Sequence, residues 1–453
     1  MSEAVAVEQT PELVRSLKPR HIAMIALGGI IGAGLFVGSS AGIATIGPGI
    51  LASYVMAGAM ILLVMRMLGE MAVAYPGLGG VTEYARVGLG NWAGFVTGWL
   101  YWFYWVVVVA VEAIAAGSVL EPMIGIPVWQ SGLVLMVAMT VTNLWSARTY
   151  GEFEFWFASI KVAAIIAFIF TGAAYLVNTP IDGGAFANVS AHGGFAPLGW
   201  GAVFAGVTTV IFSLSGAEAA TIAAAEAENP GKVVARMTTQ LMVRVTLFYL
   251  LSIFLIVCIV PWNKIVPGQS PFVAALDVIG IPGAAMFMNF LVLTAVLSCL
   301  NSGIYVTSRT LFTLASQGDA PKALVALNAR RVPARSILLG TAFGYLGVIA
   351  SVTSPQVVFA FLINASGAVM LFIYLFIAFA QIKNRRRLEK TNPELLQVKM
   401  WLFPWASYAA IAAIAAVLVA MGLTPSLASQ LFLSLLASAV VIAAFLIRAR
   451  KKA

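Results

Sequence analysis

Apolar residues occupy most of this chain, in long runs separated by short polar segments. A helix needs about 20 predominantly apolar residues to cross a bilayer, and barrel strands of about 10 residues fit these runs less well. Twelve runs, called spans 1–12 in order, lie at roughly 22–46, 50–74, 93–119, 127–145, 153–177, 201–225, 237–260, 284–307, 336–352, 356–381, 402–422 and 427–447. The pattern predicts an all-α membrane protein with 12 transmembrane helices.

Composition supports the same class. The chain has 453 residues, of which 61% are hydrophobic and 9% charged. A water-soluble domain carries about 25% charged residues, so a soluble enzyme is excluded. Cys258 and Cys299 both lie in apolar runs, so we predict neither a disulfide framework nor a metal cluster. Residues 1–20 contain three Glu and no apolar core of a signal peptide, which predicts a cytoplasmic tail.

Basic residues mark one side of the predicted membrane. Among the predicted outer loops only Lys264 is basic. The inner loops and both tails carry Arg15, Lys18, Arg20, Arg86, Arg148, Lys232, Arg236, Arg309, Lys322, Arg330, Arg331, Arg335, Lys383, Arg385, Arg386, Arg387, Lys390, Lys399, Arg448, Arg450, Lys451 and Lys452. The positive-inside rule then places both termini in the cytoplasm. The net charge of +9 is mostly a topology signal, with a lesser contribution from lipid-headgroup attraction at 383–390, and does not indicate a nucleic-acid partner.

Two spans contain residues that a lipid-facing helix does not need. Span 1 has four glycines within 28–34, and each costs about 1 kcal/mol against alanine in a helix interior. Span 6 has two serines, a glycine and an acid within 212–218. We predict that both helices are broken at these positions. The alternative for span 1 is close helix packing, since Gly28 and Gly32 have the GxxxG spacing.

The two predicted breaks lie five spans apart, which suggests two five-span repeats. Five is odd, so the second repeat must be inverted in the membrane, and paired interrupted helices are typical of a transporter binding site. The predicted organisation is a tail at 1–20, inverted repeats at 21–178 and 200–382, an accessory hairpin at 401–448, and a tail at 449–453.

A broken helix frees backbone groups, which is tolerable at membrane depth only where they line a cavity. Freed N–H groups at Ala33 and Gly34 would suit a carboxylate, as helix N-termini do. Freed carbonyls at Ile30, Phe212 and Ser215 would suit an ammonium group. The sequence therefore predicts a site for a zwitterion, formed by Ile30, Gly32, Ala33, Gly34, Phe212, Ser215 and Gly216.

Three charged residues lie far from both ends of their spans: Glu112, Lys161 and Glu218. Burying such a residue costs at least about 2.5–3.5 kcal/mol, which makes each a functional candidate. A desolvated Lys161 releases its proton more readily, and its ammonium could also take the place of a sodium ion. The alternative is a structural pair between Lys161 and a glutamate. For Glu112, simple pairing ranks above substrate contact or proton transfer, and Glu218 could tie the two halves of span 6 together.

Other polar positions give weaker signals. Arg66 and Glu70 are one helical turn apart, which predicts an ion pair or a gate. Asn301 and Ser302 could line a pathway, although hydrogen bonding between helices is the commoner explanation. The sequence has no Walker motif, dinucleotide fingerprint or metal-ligand cluster, so we expect no cofactor and no metal. Coupling to an ion gradient and facilitated exchange both remain open.

Several motifs carry a family resemblance. They are residues 29–40 (GIIGAGLFVGSS), 150–156 (YGEFEFW), 221–226 (TIAAAE), 298–302 (SCLNS) and 366–368 (SGA). On these residues the chain, from about 18 to 447, resembles the amino acid permeases of the amino acid–polyamine–organocation superfamily, most closely the bacterial 4-aminobutyrate (GABA) permeases.

The resemblance implies a leucine-transporter-like fold with five-plus-five inverted repeats and alternating access. It implies a substrate carboxylate on Ala33 and Gly34, and an amine near the carbonyls of span 1 and span 6. Sodium-independent relatives carry a span 5 lysine that matches Lys161 and is implicated in proton coupling; Glu112 joins it as a candidate here. Expected structural or gating residues are Gly29, Glu218, Ser298, Asn301 and Ser302. Ala33 departs from the serine of many relatives, so only its backbone N–H would remain as a contact.

The resemblance implies that the protein is a transporter and not an enzyme. The leading expectation is a proton symporter of the bacterial cytoplasmic (inner) membrane that imports GABA or a close ω-amino acid. The alternatives are a permease for an aromatic amino acid, proline or alanine, an amino acid exchanger, and a sensor that binds without transport. The expected partners are the amino acid and membrane lipids, with no nucleic acid and no obligate protein partner.

Overall fold

The computed structural model describes residues 30–75, 78, 80–145, 147–180, 183–216, 218 and 230–452. Side chains of 147–155, 230–242, 244 and 451–452 are not described. Gly29, a predicted gating residue, and the part of span 6 at 219–225 lie outside the described residues.

Helices form nearly all of the described chain, and no β-strand occurs in the ranges just given. In chain order the α-helices are α1 (Ser39–Ile46), α2 (Ile50–Ala74), α3 (Val81–Leu89), α4 (Asn91–Ile124), α5 (Val128–Trp145), α6 (Ala147–Asn178), α7 (Ala187–Ser190), α8 (Gly199–Ala205), α9 (Val207–Leu214), α10 (Pro230–Ile259), α11 (Pro271–Ile279), α12 (Ala284–Ser316), α13 (Ala334–Ala350), α14 (Pro355–Thr391), α15 (Trp405–Leu423) and α16 (Pro425–Lys452). A π-helical turn, Gly34–Gly38, leads into α1.

The prediction of an all-helical membrane protein is confirmed. Within the described residues, eight helical segments are long and apolar enough to cross a bilayer, and shorter apolar segments lie at Gly199–Leu214, Val245–Ile259 and Ala334–Ala350. Large apolar side chains cover the outside of the bundle, such as Phe170 and Phe287, which are 73% and 64% exposed. Such an apolar surface is typical of a protein in a lipid bilayer, because the acyl chains around it exclude water.

Helix α4 forms the centre of the bundle, and α16 lies at its periphery. The most apolar 18-residue window of α4 is 83% buried, against 11% for α16. Neighbouring helices approach α4 closely through glycine. A methyl group placed on Gly347 of α13 would lie 2.5 Å from the Cβ of Ala110. Any group that α4 carries at mid-length therefore faces the interior of the protein.

Local sequence explains where several helices begin and end. Pro271 and Pro355 occupy the first turns of α11 and α14, where the missing N–H costs nothing. Gly125 ends α4 in the left-handed region, and its N–H donates to the Glu121 carbonyl at 2.9 Å. These signals fix the helix lengths on one side of the bundle.

Candidate functional site

The first predicted break lies between Ile30 and Ala33. Ile30 is helical, Ile31 and Gly32 bend, and the helix resumes at Ala33 as the π-helical turn. All of these residues are buried. The glycine run therefore interrupts the helix inside the protein.

The second predicted break follows α9. Ser215 is extended, with φ −72° and ψ 157°, and Gly216 has a φ of 118°. That φ is strained for any residue with a Cβ, so the position needs glycine. The N–H of Gly216 donates to both carboxylate oxygens of Glu218, at 3.0 and 3.1 Å. Glu218 thus caps the turn that ends α9.

The two breaks are in direct contact. The Ser213 hydroxyl donates to the Gly34 carbonyl at 2.7 Å. A methyl group placed on Gly34 would lie 2.6 Å from the Cα of Ser213, so the backbones are as close as glycine permits. The breaks in spans 1 and 6 therefore form one buried feature of the protein.

A side chain from α4 enters this feature. Both carboxylate oxygens of Glu112 accept from the Ala33 N–H, at 3.0 and 2.9 Å. Glu112 is 1% exposed. The N–H that the sequence assigned to a ligand thus holds a carboxylate of the protein itself. Sequence analysis missed this contact because 79 residues separate the partners.

Three further elements meet at Glu112. The Cys299 thiol of α12 forms a hydrogen bond with the carboxylate, and Lys161 of α6 acts on it electrostatically. A methyl group on Gly32 would lie 2.7 Å from the Glu112 Oε1 and 2.6 Å from the Cys299 Sγ. Glu112 and Lys161, which the sequence selected separately, therefore belong to the same cluster.

The predicted ammonium-binding carbonyls have different surroundings. The Ile30 carbonyl accepts from the Tyr249 hydroxyl of α10 at 2.8 Å. A carbonyl oxygen has two lone pairs, so one acceptor position remains. Phe212 and Ser215 are buried in and after the last turn of α9, and the Ser215 hydroxyl donates back to the Ile211 carbonyl at 2.6 Å.

Tyrosines that were not predicted as site residues surround Glu218. Tyr101 and Tyr104 of α4 and Tyr374 of α14 all interact electrostatically with its carboxylate. The Tyr101 and Tyr374 hydroxyls are buried and have no well-formed hydrogen bond among the described residues. These hydroxyls therefore lie beside the Glu218 carboxylate, at the break that follows α9.

The predicted polar residues of α12 divide into two kinds. Asn301 accepts a hydrogen bond from the Asn143 amide of α5 at 2.6 Å, which is interhelical bonding of the commoner kind. Ser298, one turn before Asn301, and Ser302, the residue after it, are buried and have interaction partners. Asn301 therefore links helices, whereas the serines flank the Cys299 contact.

Contacts between elements occur beyond both ends of α12, the helix that carries Cys299 at mid-length. At one end Phe272 of α11 packs on Phe36 and Phe168, with ring centroids 5.0 and 4.7 Å away. The Gly268 N–H nearby donates to the Ser40 hydroxyl at 2.9 Å. At the other end Asp319 pairs with Arg86 at 2.5 Å and with Arg448. The site residues themselves are buried inside the protein.

The predicted pairing of Arg66 with Glu70 is wrong. The Arg66 Nε donates to the Lys399 carbonyl at 2.9 Å, and Glu70 pairs with Arg385 of α14 at 2.7 Å. Glu70 also accepts from the Gln381 amide at 2.8 Å. A spacing of four residues permits a pair along one helix, but a buried guanidinium on a neighbouring helix is the stronger partner.

Comparison with known proteins gives one consistent family. The model of the family described as Amino acid permease matches residues 21–452. A gamma-aminobutyric acid permease of Bacillus subtilis is 45% identical over 446 residues, covering 97% of this chain and 94% of the relative. One of Escherichia coli is 41% identical, covering 92% and 90%. An aromatic amino acid transport protein of Corynebacterium glutamicum is 38% identical, covering 86% and 85%.

Proposed function

This chain belongs to the amino acid permease family, and we propose that it imports GABA, or an ω-amino acid of similar length, by proton symport. The transport of amino acids across a membrane, rather than catalysis, follows from the family. Two relatives that are more than 40% identical over nearly the whole chain are named for GABA, and this observation carries the substrate.

The substrate carboxylate binds at the break in span 1, on the backbone of Gly32, Ala33 and Gly34. The Ala33 N–H supports this position because it already holds a carboxylate, that of Glu112, at hydrogen-bonding distance. The amine of the substrate lies towards Ile30, Phe212, Ser215 and Gly216. The buried Glu218 carboxylate, with the Tyr101 and Tyr374 hydroxyls near it, supports this end for an ammonium group.

Lys161 and Glu112 couple transport to protons. Their electrostatic interaction supports the assignment, because a proton moved on or off either group changes the charge beside the substrate. Ser298 and Ser302 shape the surroundings of this pair. Asn301 contributes to the packing of α12, and Glu218 holds the turn at Gly216 during the conformational cycle.

The fold proposed for this function is leucine-transporter-like, with twelve spans, inverted repeats at 21–178 and 200–382, and cytoplasmic termini in the bacterial inner membrane. The overlap of each predicted span with a described helix supports it. Alternating access then consists of opening the Phe272 end and the Asp319 end in turn.

A permease for aromatic amino acids is the second candidate, because the Corynebacterium relative at 38% identity has that name. Competition against labelled GABA in proteoliposomes separates the two. We expect β-alanine to compete and phenylalanine, proline and alanine to compete weakly. Strong competition by phenylalanine would favour the second candidate. Uptake that requires unlabelled amino acid inside the vesicles would instead identify an exchanger.

A further inference from the structure

Glu112 makes the hydrogen bonds that the proposed function assigns to the substrate. Its carboxylate reaches across from α4 to the Ala33 N–H at the break in span 1. We propose that the Glu112 carboxylate occupies the position of the substrate carboxylate before substrate binds, and that substrate binding displaces it. This inference rests on the proposed function and adds a device that regulates the same site.

The position is shaped for a carboxylate. Gly32 has no side chain, and a methyl group there would lie 2.7 Å from the Glu112 Oε1. The space beside the bend is therefore filled by the Glu112 carboxylate together with the Cys299 side chain, which lies 2.6 Å from the same methyl position. A carboxylate oxygen on a backbone N–H at a helix start is also the geometry expected of a bound amino acid.

A permanent structural role explains this arrangement less well. Both oxygens of Glu112 share one N–H, although an ionised carboxylate can accept about four hydrogen bonds. The described partners are that N–H and the Cys299 thiol, a weak donor, together with the charge of Lys161. A buried carboxylate held this sparingly can be exchanged for another of similar geometry.

Once displaced, the Glu112 carboxylate moves towards Lys161. Two carboxylates cannot both remain ionised at one buried N–H, because their repulsion is strong in a low-dielectric interior. Lys161 already acts on Glu112 electrostatically, so the released carboxylate moves towards the ammonium. Binding of a carboxylate thereby changes the Glu112–Lys161 pair, whereas binding of an amine alone does not.

The test compares two ligands on the purified full chain. GABA carries the carboxylate, and 4-amino-1-butanol has the amine and similar length without it. Replacing Glu112 by Gln removes the competing charge and leaves a side chain of nearly the same volume. We expect Glu112→Gln to bind GABA about tenfold more tightly, the equivalent of one charge-assisted contact, and to leave the dissociation constant of 4-amino-1-butanol unchanged.

Glu121→Gln is the matched control, because Glu121 lies on the same helix and is exposed at its end. It should change neither constant. Unchanged or weaker binding of GABA by Glu112→Gln would overturn the inference, and so would equal tightening for both ligands. If Glu112→Gln gives one of these contradicting results but the wild-type protein accumulates GABA, the inference fails and the proposed function is kept. Wild-type protein that binds no amino acid would refute the proposed function itself.

A measurement on the wild-type chain covers the case in which the variant does not fold. Infrared difference spectra are recorded on adding GABA with a ¹³C-labelled carboxylate, so that bands of the ligand and the protein separate. Both ligands carry the amine and can change the band of Glu218, so the difference between the two spectra reports on Glu112. We expect GABA to change a carboxylate band of the protein that 4-amino-1-butanol leaves unchanged. Protein carboxylate bands that respond in the same way to both ligands would overturn the inference.

Discussion

The Ser213 hydroxyl donates a hydrogen bond to the Gly34 carbonyl across 2.7 Å, and this bond joins the broken ends of two helices that lie 179 residues apart. Each break exposes backbone groups that would be costly in lipid. Where the two breaks meet, the Ser213 hydroxyl compensates part of the hydrogen bonding that is lost at the break in span 1. Contact between the two breaks, more than either break alone, defines the site.

Replacement of Gly34 by Ala tests this contact. The added methyl group would meet the Ser213 Cα at 2.6 Å, so the two backbones must separate. We expect a loss of about 1–3 kcal/mol in stability, typical of overpacking, and a marked loss of substrate binding. Gly201→Ala is the control, because nothing lies within 4 Å of its added methyl. Wild-type affinity in Gly34→Ala would mean that the site tolerates separation of the breaks.

Replacement of Lys161 by Ala tests proton coupling. We expect the variant to lose accumulation of substrate against a gradient while keeping part of its binding, because Lys161 acts electrostatically on Glu112 and the Ala33 N–H remains in place. Accumulation and counterflow are measured on the same proteoliposomes. The exposed Lys264 provides the control substitution, Lys264→Ala. Accumulation at the wild-type level in Lys161→Ala would remove the lysine from the coupling mechanism.

Replacement of Phe272 by Ala tests closure at one end of the site. Phe272 is fully buried between Phe36 and Phe168, and truncation of such a ring costs about 3–5 kcal/mol. We expect labelled substrate to leave the site faster, measured as the dissociation rate from purified protein. Phe287→Ala controls for the loss of a ring, because Phe287 faces outwards and is 64% exposed. Equal dissociation rates in the two variants would show that this aromatic cluster does not retain the substrate.

The Glu70–Arg385 pair makes a prediction that is independent of transport. Glu70 is 2% exposed, and its removal leaves the buried Arg385 guanidinium with only its more exposed partner, Glu389. We expect Glu70→Gln to lose about 3–5 kcal/mol of stability, measured by unfolding in detergent. Glu389→Gln removes the second, more exposed partner of Arg385 and should cost about 1 kcal/mol or less. Equal losses in the two variants would contradict the assignment of the buried pair as the stabilising one.

Sequence predicted the features that arise from local chemistry. Glycine at 32 and 34, and serine followed by glycine at 215 and 216, disfavour a continuous helix. This preference is local, so it can be recognised without knowing any long-range contact. Buried charge was equally visible, since Glu112, Lys161 and Glu218 interrupt apolar runs. The break positions therefore match the structure closely.

Partners across the fold could not be read in the same way. The contact of Glu112 with Ala33 depends on how α4 packs against span 1, which no local pattern specifies. The same reason explains the error at Arg66 and Glu70, where a neighbouring helix supplied a stronger partner. Tyr374 was not predicted as a site residue, because a single tyrosine in an apolar helix gives no signal in the sequence. Its significance depends on its neighbours in the fold.

Uptake of labelled GABA by proteoliposomes under an imposed inward proton gradient is the most direct test of the proposed transport. We expect accumulation above the outside concentration with the gradient, equilibration without it, and loss of accumulation in Lys161→Ala. Accumulation that ignores the proton gradient, or a protein that transports phenylalanine but not GABA, would contradict the proposal.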